Sequence, residues 1–394
     1  MQLNNNIRTF YFAPFDILRS RTNQISDIRF CEGLVQNGCD LTLIAPYVYR
    51  KDNLSKNKVL DFYGVENKFK VRFLPTLFFN DVNGTINLLT IIILNSFLFL
   101  SLLISAVVSN KKLLIISRSP SILFPFLVLR KLFKKKVKVV TWIHEIKTNK
   151  SHTYVYEKSD FLWGTNSAIT NDLESKFGFP KSKIGITNNP ITKSQANCYI
   201  SKSDAREKVS INKSPLIVYT GKLFVGQLEA EYILNAAKLT PNYTYLLTGG
   251  KPNVLTYYKN WCSENNVSNV LFTGYLKDYN DLKYYQFSAD VLVSYYTTKE
   301  HDVRYNFPQK IVEYMVTGNP IVTPNFEATQ DVLNEQTAIF VEPENVKSLI
   351  EGIKKAVENR PLSESIGTTA RNKAKNYTFK ELLQPLLARI IDSF

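Results

Sequence analysis

Short runs of branched apolar residues alternate with longer segments of mixed character along the chain. In the first half, Ile7–Phe12 (IRTFYF), Asp40–Pro46 (DLTLIAP), Lys70–Pro75 (KVRFLP), Lys112–Ser117 (KLLIIS) and Val137–Ile143 (VKVVTWI) read as strands. Their Val, Ile and Leu content predicts a parallel sheet buried on both faces. A helix is predicted from about Ile25 to Gln36, stopped by Gly38. ITNDLESKFGFPKSKIGITNNP adds a helix, a glycine stop and a short strand, and the polar stretch from about Ile191 to Lys213 predicts a linker. Beyond it the alternation repeats in Pro215–Gly221, Thr244–Gly250, Val270–Tyr275, Asp290–Tyr296 and Pro320–Pro324. A last helix over Phe379–Ser393 carries Leu382, Leu383, Leu386, Leu387 and Ile390, an apolar face that needs a partner. The expected class is α/β, with Rossmann-like domains at 1–195 and 196–372. A terminal segment, 373–394, is expected to return its helix to the first domain.

Composition narrows the functional classes. The 394 residues are 44% hydrophobic and 13% aromatic, which excludes a disordered chain or a disulfide framework. Cys31, Cys39, Cys198 and Cys262 form no C-x-x-C pair, and His144, His152 and His301 lack the i, i+4 spacing of a helical metal site. No metal and no cofactor are expected. MQLNNNIRTFYFAPFD lacks the basic-then-apolar build of a signal peptide, so a cytoplasmic protein is expected.

Charge divides the chain unevenly. Residues 1–190 hold 26 Lys and Arg against 13 Asp and Glu, and the remainder holds 23 against 21. The densest run is Arg130, Lys131, Lys134, Lys135, Lys136 and Lys138. A basic first half beside a near-neutral second half points to an anionic surface facing the first. On charge alone that surface is a lipid headgroup layer or nucleic acid. Leu88–Val108 runs 21 residues without a charge, ~32 Å as a helix and enough to cross a bilayer. The alternative is a buried or interface-dipping helix. Strands expected on either side of the stretch belong to one sheet, and a span would put them on opposite sides of the membrane.

Candidate chemistry gathers in the second half. YNFPQKIVEYMVTGNPIV (Tyr305–Val322) reads as a loop, a helix from near Pro308 to Gly318, and a buried strand. Free N–H groups near Gln309 and the charge of Lys310 suit a phosphate, and Glu313 suits hydroxyls such as those of a ribose. Gly221-Lys222 and Gly249-Gly250 lie at strand ends, where ligands of open α/β sheets bind.

These residues resemble the group-one, family-four type of retaining glycosyltransferase, in the subset reading Y-N-x-P-x-K-x-x-E-Y. TGK and NVLFTGYL in the second half carry the resemblance further, as do ILRSRTNQISDIRFCEGLVQNGCDLTLIAP and VVTWIHE in the first. It implies the GT-B architecture and transfer of a sugar from a nucleotide-diphosphate sugar, with retention and without a metal. Lys222 and Lys310 would then stabilise the leaving diphosphate, and His144 would position the sugar. The donor would be held by Gly221, Gly249, Gly250, Tyr275, Tyr305, Asn306, Phe307, Gln309 and Glu313. Arg21, Thr22, Asn23, Arg118 and Glu145 would face the acceptor. The leaving phosphate itself would take the acceptor proton.

This sequence departs from the family at four points. Tyr305 replaces the first Glu of the family's Glu-x(7)-Glu motif, Lys222 and Gln227 replace the Arg and the Lys of its diphosphate-binding pair, and Ser20-Arg21-Thr22-Asn23 replaces a glycine pair. Tyr305 and Gln227 keep open a catalytically weakened binding or assembly subunit. A nucleotide-sugar epimerase is the other alternative, though its soluble substrates leave the basic first half without a role. The expected partners are the nucleotide sugar, an anionic membrane surface and a lipid-linked or glycan acceptor, with no nucleic acid. The expected location is the inner face of the cell membrane, peripherally bound, in cell-surface polysaccharide or glycolipid assembly.

Overall fold

The computed structural model describes residues 6–14, 16–18, 22–47, 55–75, 111–276, 278–299, 303–305 and 308–394. The apolar stretch Leu88–Val108 lies outside the described residues. Among the described residues no helix is long and apolar enough to cross a membrane. The chain forms two compact units, one of residues 1–192 and 378–394, the other of residues 193–377.

The first unit is built on seven parallel strands: β1 (Ile7–Phe12), β2 (Asp40–Tyr47), β3 (Lys70–Pro75), β4 (Lys112–Ser117), β5 (Val137–Ile143), β6 (Phe161–Gly164) and β7 (Ile184–Ile186). Their order is β3-β2-β1-β4-β5-β6-β7, so the direction of winding reverses between β1 and β4. Alternation along β1 serves both faces of the sheet. Phe10 and Phe12 pack with Leu123, Phe126 and Leu127 of helix Pro120–Leu132. Tyr11 points the other way, toward Phe30 of helix Thr22–Gln36 and Phe379 and Leu383 of helix Phe379–Asp392. The two helices on that face approach closely at Gly33, where a Cβ would strike Phe379. The terminal helix therefore completes the core of the first unit.

The second unit has six parallel strands: β8 (Leu216–Thr220), β9 (Thr244–Thr248), β10 (Val270–Gly274), β11 (Val291–Val293), β12 (Ile321–Pro324) and β13 (Ile339–Val341). The order β10-β9-β8-β11-β12-β13 again reverses beside the first strand, between β8 and β11. Both units are thus doubly wound, Rossmann-like sheets.

The segment expected to be a linker is helical over Lys202–Val209. Ser201 caps it by accepting from the Asp204 amide at 3.1 Å. Asp290, just before β11, clamps it: Lys202 Nζ lies 2.9 Å and Arg206 Nη2 2.6 Å from the carboxylate. The same carboxylate accepts from the Leu216 amide at 2.8 Å. A polar sequence is ordered here by a distant counter-charge, which periodicity does not reveal.

Candidate active site

The candidate donor site lies at the carboxyl ends of β8 and β11, where the order of the second sheet reverses and ligands of such sheets bind. Helix Lys310–Thr317 enters this edge and ends at Gly318, whose φ of +75° suits the left-handed cap. Tyr314 fixes the helix to β8, since its hydroxyl accepts from the Thr220 amide at 2.8 Å. Glu313 is oriented by Gln286, whose side-chain amide donates to Oε2 at 3.1 Å.

Lys310 lies half-buried in the first turn of that helix. Its Nζ sits 3.8 Å from the ring centroid of Tyr219 and 4.8 Å from that of Tyr296. Desolvation pushes its pKa down to about 7, against the opposing pull of the Glu229 and Glu313 carboxylates. Glu229 is fully buried in the first turn of helix Leu228–Leu239. Burial, with the Glu229 charge contributing, also raises Tyr219 and Tyr296 well above the usual phenol range.

The neighbouring loops bring backbone rather than side chains. Gly221 and exposed Lys222 follow β8, and Gly249 and Gly250 follow β9 with φ of +97° and +91°. A Cβ on Gly249 would run into the carbonyl oxygen of Gly221, so the two loops touch through backbone alone. Tyr258 holds the turn between β8 and helix Leu228–Leu239: its hydroxyl donates to Phe224 O at 2.7 Å and accepts from Gln227 N at 3.1 Å. Tyr275 follows β10 and is 58% exposed. Tyr305 lies half-buried in a turn, and Gln309 immediately precedes the helix. Asn306 and Phe307 lie outside the described residues.

In the first unit, Arg118 follows β4, beside the reversal in strand order, and His144 and Glu145 follow β5, one strand further out. Arg118 donates to Asp27 Oδ1 at 3.2 Å, and its guanidinium lies 5.8 Å from the Trp142 ring centroid. His144 packs edge-on against Trp142 at 4.3 Å, with Nε2 buried. Desolvation, then the Arg118 charge, hold its pKa well below the ordinary histidine value, so the ring is neutral. Asp27 is fully buried, and burial raises its pKa against the pull of Arg118. Glu145 is exposed. Thr22 and Asn23 open helix Thr22–Gln36, while Arg21 lies outside the described residues.

The structure therefore brings Lys310 and Glu313 to one edge with Gly221, Gly249 and Gly250, and Arg118 with His144 to another. Sequence reasoning missed Tyr219, Glu229, Gln286 and Tyr296 in the second unit and Tyr11 and Asp27 in the first. Tyr219 and Tyr11 sit within strands and read there as core. The acidic residues Glu229 and Asp27, in predominantly apolar helix faces, were the available signals. Among the described residues no group of three or more His, Cys, Asp and Glu is placed to hold a metal ion.

Two doubly wound units of this kind define the GT-B fold. Sucrose-phosphate synthase of Thermosynechococcus elongatus superposes with a TM-score of 0.74 at 14% identity, covering 98% of this chain and 100% of that one. HepE of Anabaena, in complex with UDP and glucose, gives 0.70 at 13% identity, covering 98% and 100%. A glycosyltransferase of Rickettsia africae gives 0.68 at 15% identity, covering 98% of each chain. No curated protein matches the sequence. Residues 201–373 match the family described as glycosyl transferases group 1. The second unit accordingly carries a group 1 glycosyltransferase domain.

Proposed function

We propose that the protein transfers a sugar from a nucleotide-diphosphate sugar, with retention and without a metal, to a lipid-linked or polysaccharide acceptor. The observation that carries this reading is the placement of Lys310 and Glu313 on one helical turn at the strand-order reversal of the group 1 domain. Lys310 meets the diphosphate, whose charge grows as the sugar leaves, and draws a proton onto its own amine as that charge arrives. Lys222 and the backbone of Gly249-Gly250 complete the anion's surroundings, and Glu313, oriented by Gln286, accepts from ribose hydroxyls. HepE holds UDP in the same fold, which supports a uridine donor as the first to try.

On the acceptor side, neutral His144 offers a hydrogen bond to a sugar hydroxyl and does not act as a nucleophile. The leaving phosphate takes the acceptor proton on the face from which the sugar departs. Work on a lipid-linked acceptor places the protein peripherally on the cytoplasmic face of a membrane with anionic lipids. The test is calorimetric titration with UDP, UDP-glucose and other nucleotide diphosphates, followed by transfer from the tightest donor to a membrane extract. Micromolar binding with label entering the lipid fraction upholds the reading. Binding of no nucleotide overturns it. Gln227 and Tyr305 favour a second reading, a nucleotide-binding assembly subunit, and binding without transfer is its signature.

A further inference from the structure

Helix Pro120–Leu132 is apolar on its outward face, where a helix packed on a sheet ordinarily carries charge. Phe124, Val128 and Leu132 stand at i, i+4 and i+8 and are 50, 52 and 65% exposed. Leu123, Phe126, Leu127 and Leu129 fill the core beneath, so this face is surplus to folding. Helix Lys150–Lys158 lies alongside and contributes Tyr154, 45% exposed, with its ring 5.8 Å from that of Phe124. The result is one continuous strip of large apolar side chains on the surface.

The charge around the strip is predominantly basic. Lys131, Lys134 and Lys135 are exposed around its C-terminal end, and Lys147, Lys150 and Lys158 around the neighbouring helix, against exposed Glu145 and Glu157. Arg130 and Lys138, which the sequence groups with this cluster, are committed elsewhere: Arg130 Nε lies 2.7 Å and Lys138 Nζ 3.8 Å from Asp160.

We propose that Phe124, Val128, Leu132 and Tyr154, with Lys131, Lys134, Lys135 and Lys150 around them, dock on an anionic lipid bilayer. The inference rests on the membrane-bound acceptor proposed above and names the surface that would reach it. Apolar side chains enter the boundary between headgroups and acyl chains while the lysine stems let their ammonium groups stay among the headgroup phosphates. A nucleic acid would satisfy the lysines and leave Val128 and Leu132 against water. A protein partner would have to supply both an apolar groove and a ring of carboxylates, whereas an anionic bilayer supplies both layers everywhere.

The test uses the full chain in co-sedimentation with vesicles of phosphatidylglycerol and phosphatidylcholine in equal parts, at low salt. Wild type should bind these and not vesicles of phosphatidylcholine alone. Phe124→Ser with Val128→Ser and Leu132→Ser should weaken binding about tenfold or more, with the native circular-dichroism spectrum and a cooperative unfolding transition retained. Lys131→Gln with Lys134→Gln and Lys135→Gln should weaken it about fivefold per lysine and flatten its salt dependence. If both variants bind like wild type, the strip is not the docking surface while the membrane reading stands. If wild type ignores the anionic vesicles, both fall.

Discussion

The ammonium of Lys310 rests on the ring of Tyr219, 3.8 Å from its centroid. Attraction between the cation and the ring, together with the buried Glu229 carboxylate, offsets part of the cost of removing an amine from water. The offset is incomplete, so Lys310 titrates at about 7. Near physiological pH, then, this lysine carries its proton only part of the time. An arriving diphosphate supplies the missing counter-charge.

Donor affinity should accordingly fall as pH rises through about 7, by up to about tenfold per pH unit while one proton is linked to binding. Glu229→Gln removes a charge that raises the Lys310 pKa, so the midpoint should move to lower pH. Calorimetry with UDP from acid to alkaline buffers reads the midpoint directly. A flat profile in wild type would remove Lys310 from the site. The stability effect has the opposite sense to that of a salt-bridged lysine. Because the folded pKa lies below the unfolded one, Lys310 disfavours folding below about pH 7, and that cost fades as pH rises toward the unfolded value near 10.5.

Lys310→Ala should weaken diphosphate binding by about 1.5–3 kcal/mol, as loss of a hydrogen bond to a charged group does. Lys222→Ala, on an exposed loop, should cost less because water screens it. Unchanged affinity in both variants would mean the diphosphate binds elsewhere.

Gly249→Ala should abolish donor binding and destabilise the second unit by about 2 kcal/mol or more, since the added Cβ meets backbone in a left-handed conformation. Chemical denaturation and donor titration on the same preparation check both effects. Wild-type behaviour would show that the Gly221 and Gly249 loops separate easily.

Asp290→Asn should destabilise the second unit by about 2–3 kcal/mol, because Lys202 and Arg206 lose their counter-charge and helix Lys202–Val209 its anchor. Although burial opposes it, the pull of Lys202 and of the Leu216 amide leaves the Asp290 pKa below the usual carboxylate value. The contribution is therefore present above the unfolded value of 3.8 and lost as pH falls through the lower folded one. Denaturant midpoints should converge between wild type and variant in strong acid. A constant gap would assign the effect to packing.

Strands β1, β3, β4 and β5 were legible to the residue because each is a short run rich in branched or aromatic apolar residues set between segments of mixed character. β6 and β13 escaped notice since four and three residues show no period. β11 pairs over Val291–Val293 alone, within the longer run read from Asp290 to Tyr296. The chain leaves the sheet there and delivers Tyr296 to Lys310. Lys310 and Glu313 stood out because helix starts carry a general chemistry. Tyr219, Glu229 and Asp27 did not, because only strand order and helix docking bring single residues from separate segments together.

Ile191 pairs with Thr378 as neighbouring parallel backbone, and the Phe379 amide donates to Ile191 O at 3.0 Å. The chain thus leaves the first unit and re-enters it at one spot, which makes residues 193–377 a guest domain spliced into a host. On the ribosome the guest is complete while the host still lacks Phe379, Leu383, Leu386, Leu387 and Ile390. The usual order, in which N-terminal domains finish first, is inverted here. A nascent chain carries an open apolar sheet face beside helix Thr22–Gln36 throughout synthesis of the guest, until helix Phe379–Asp392 emerges to cover it.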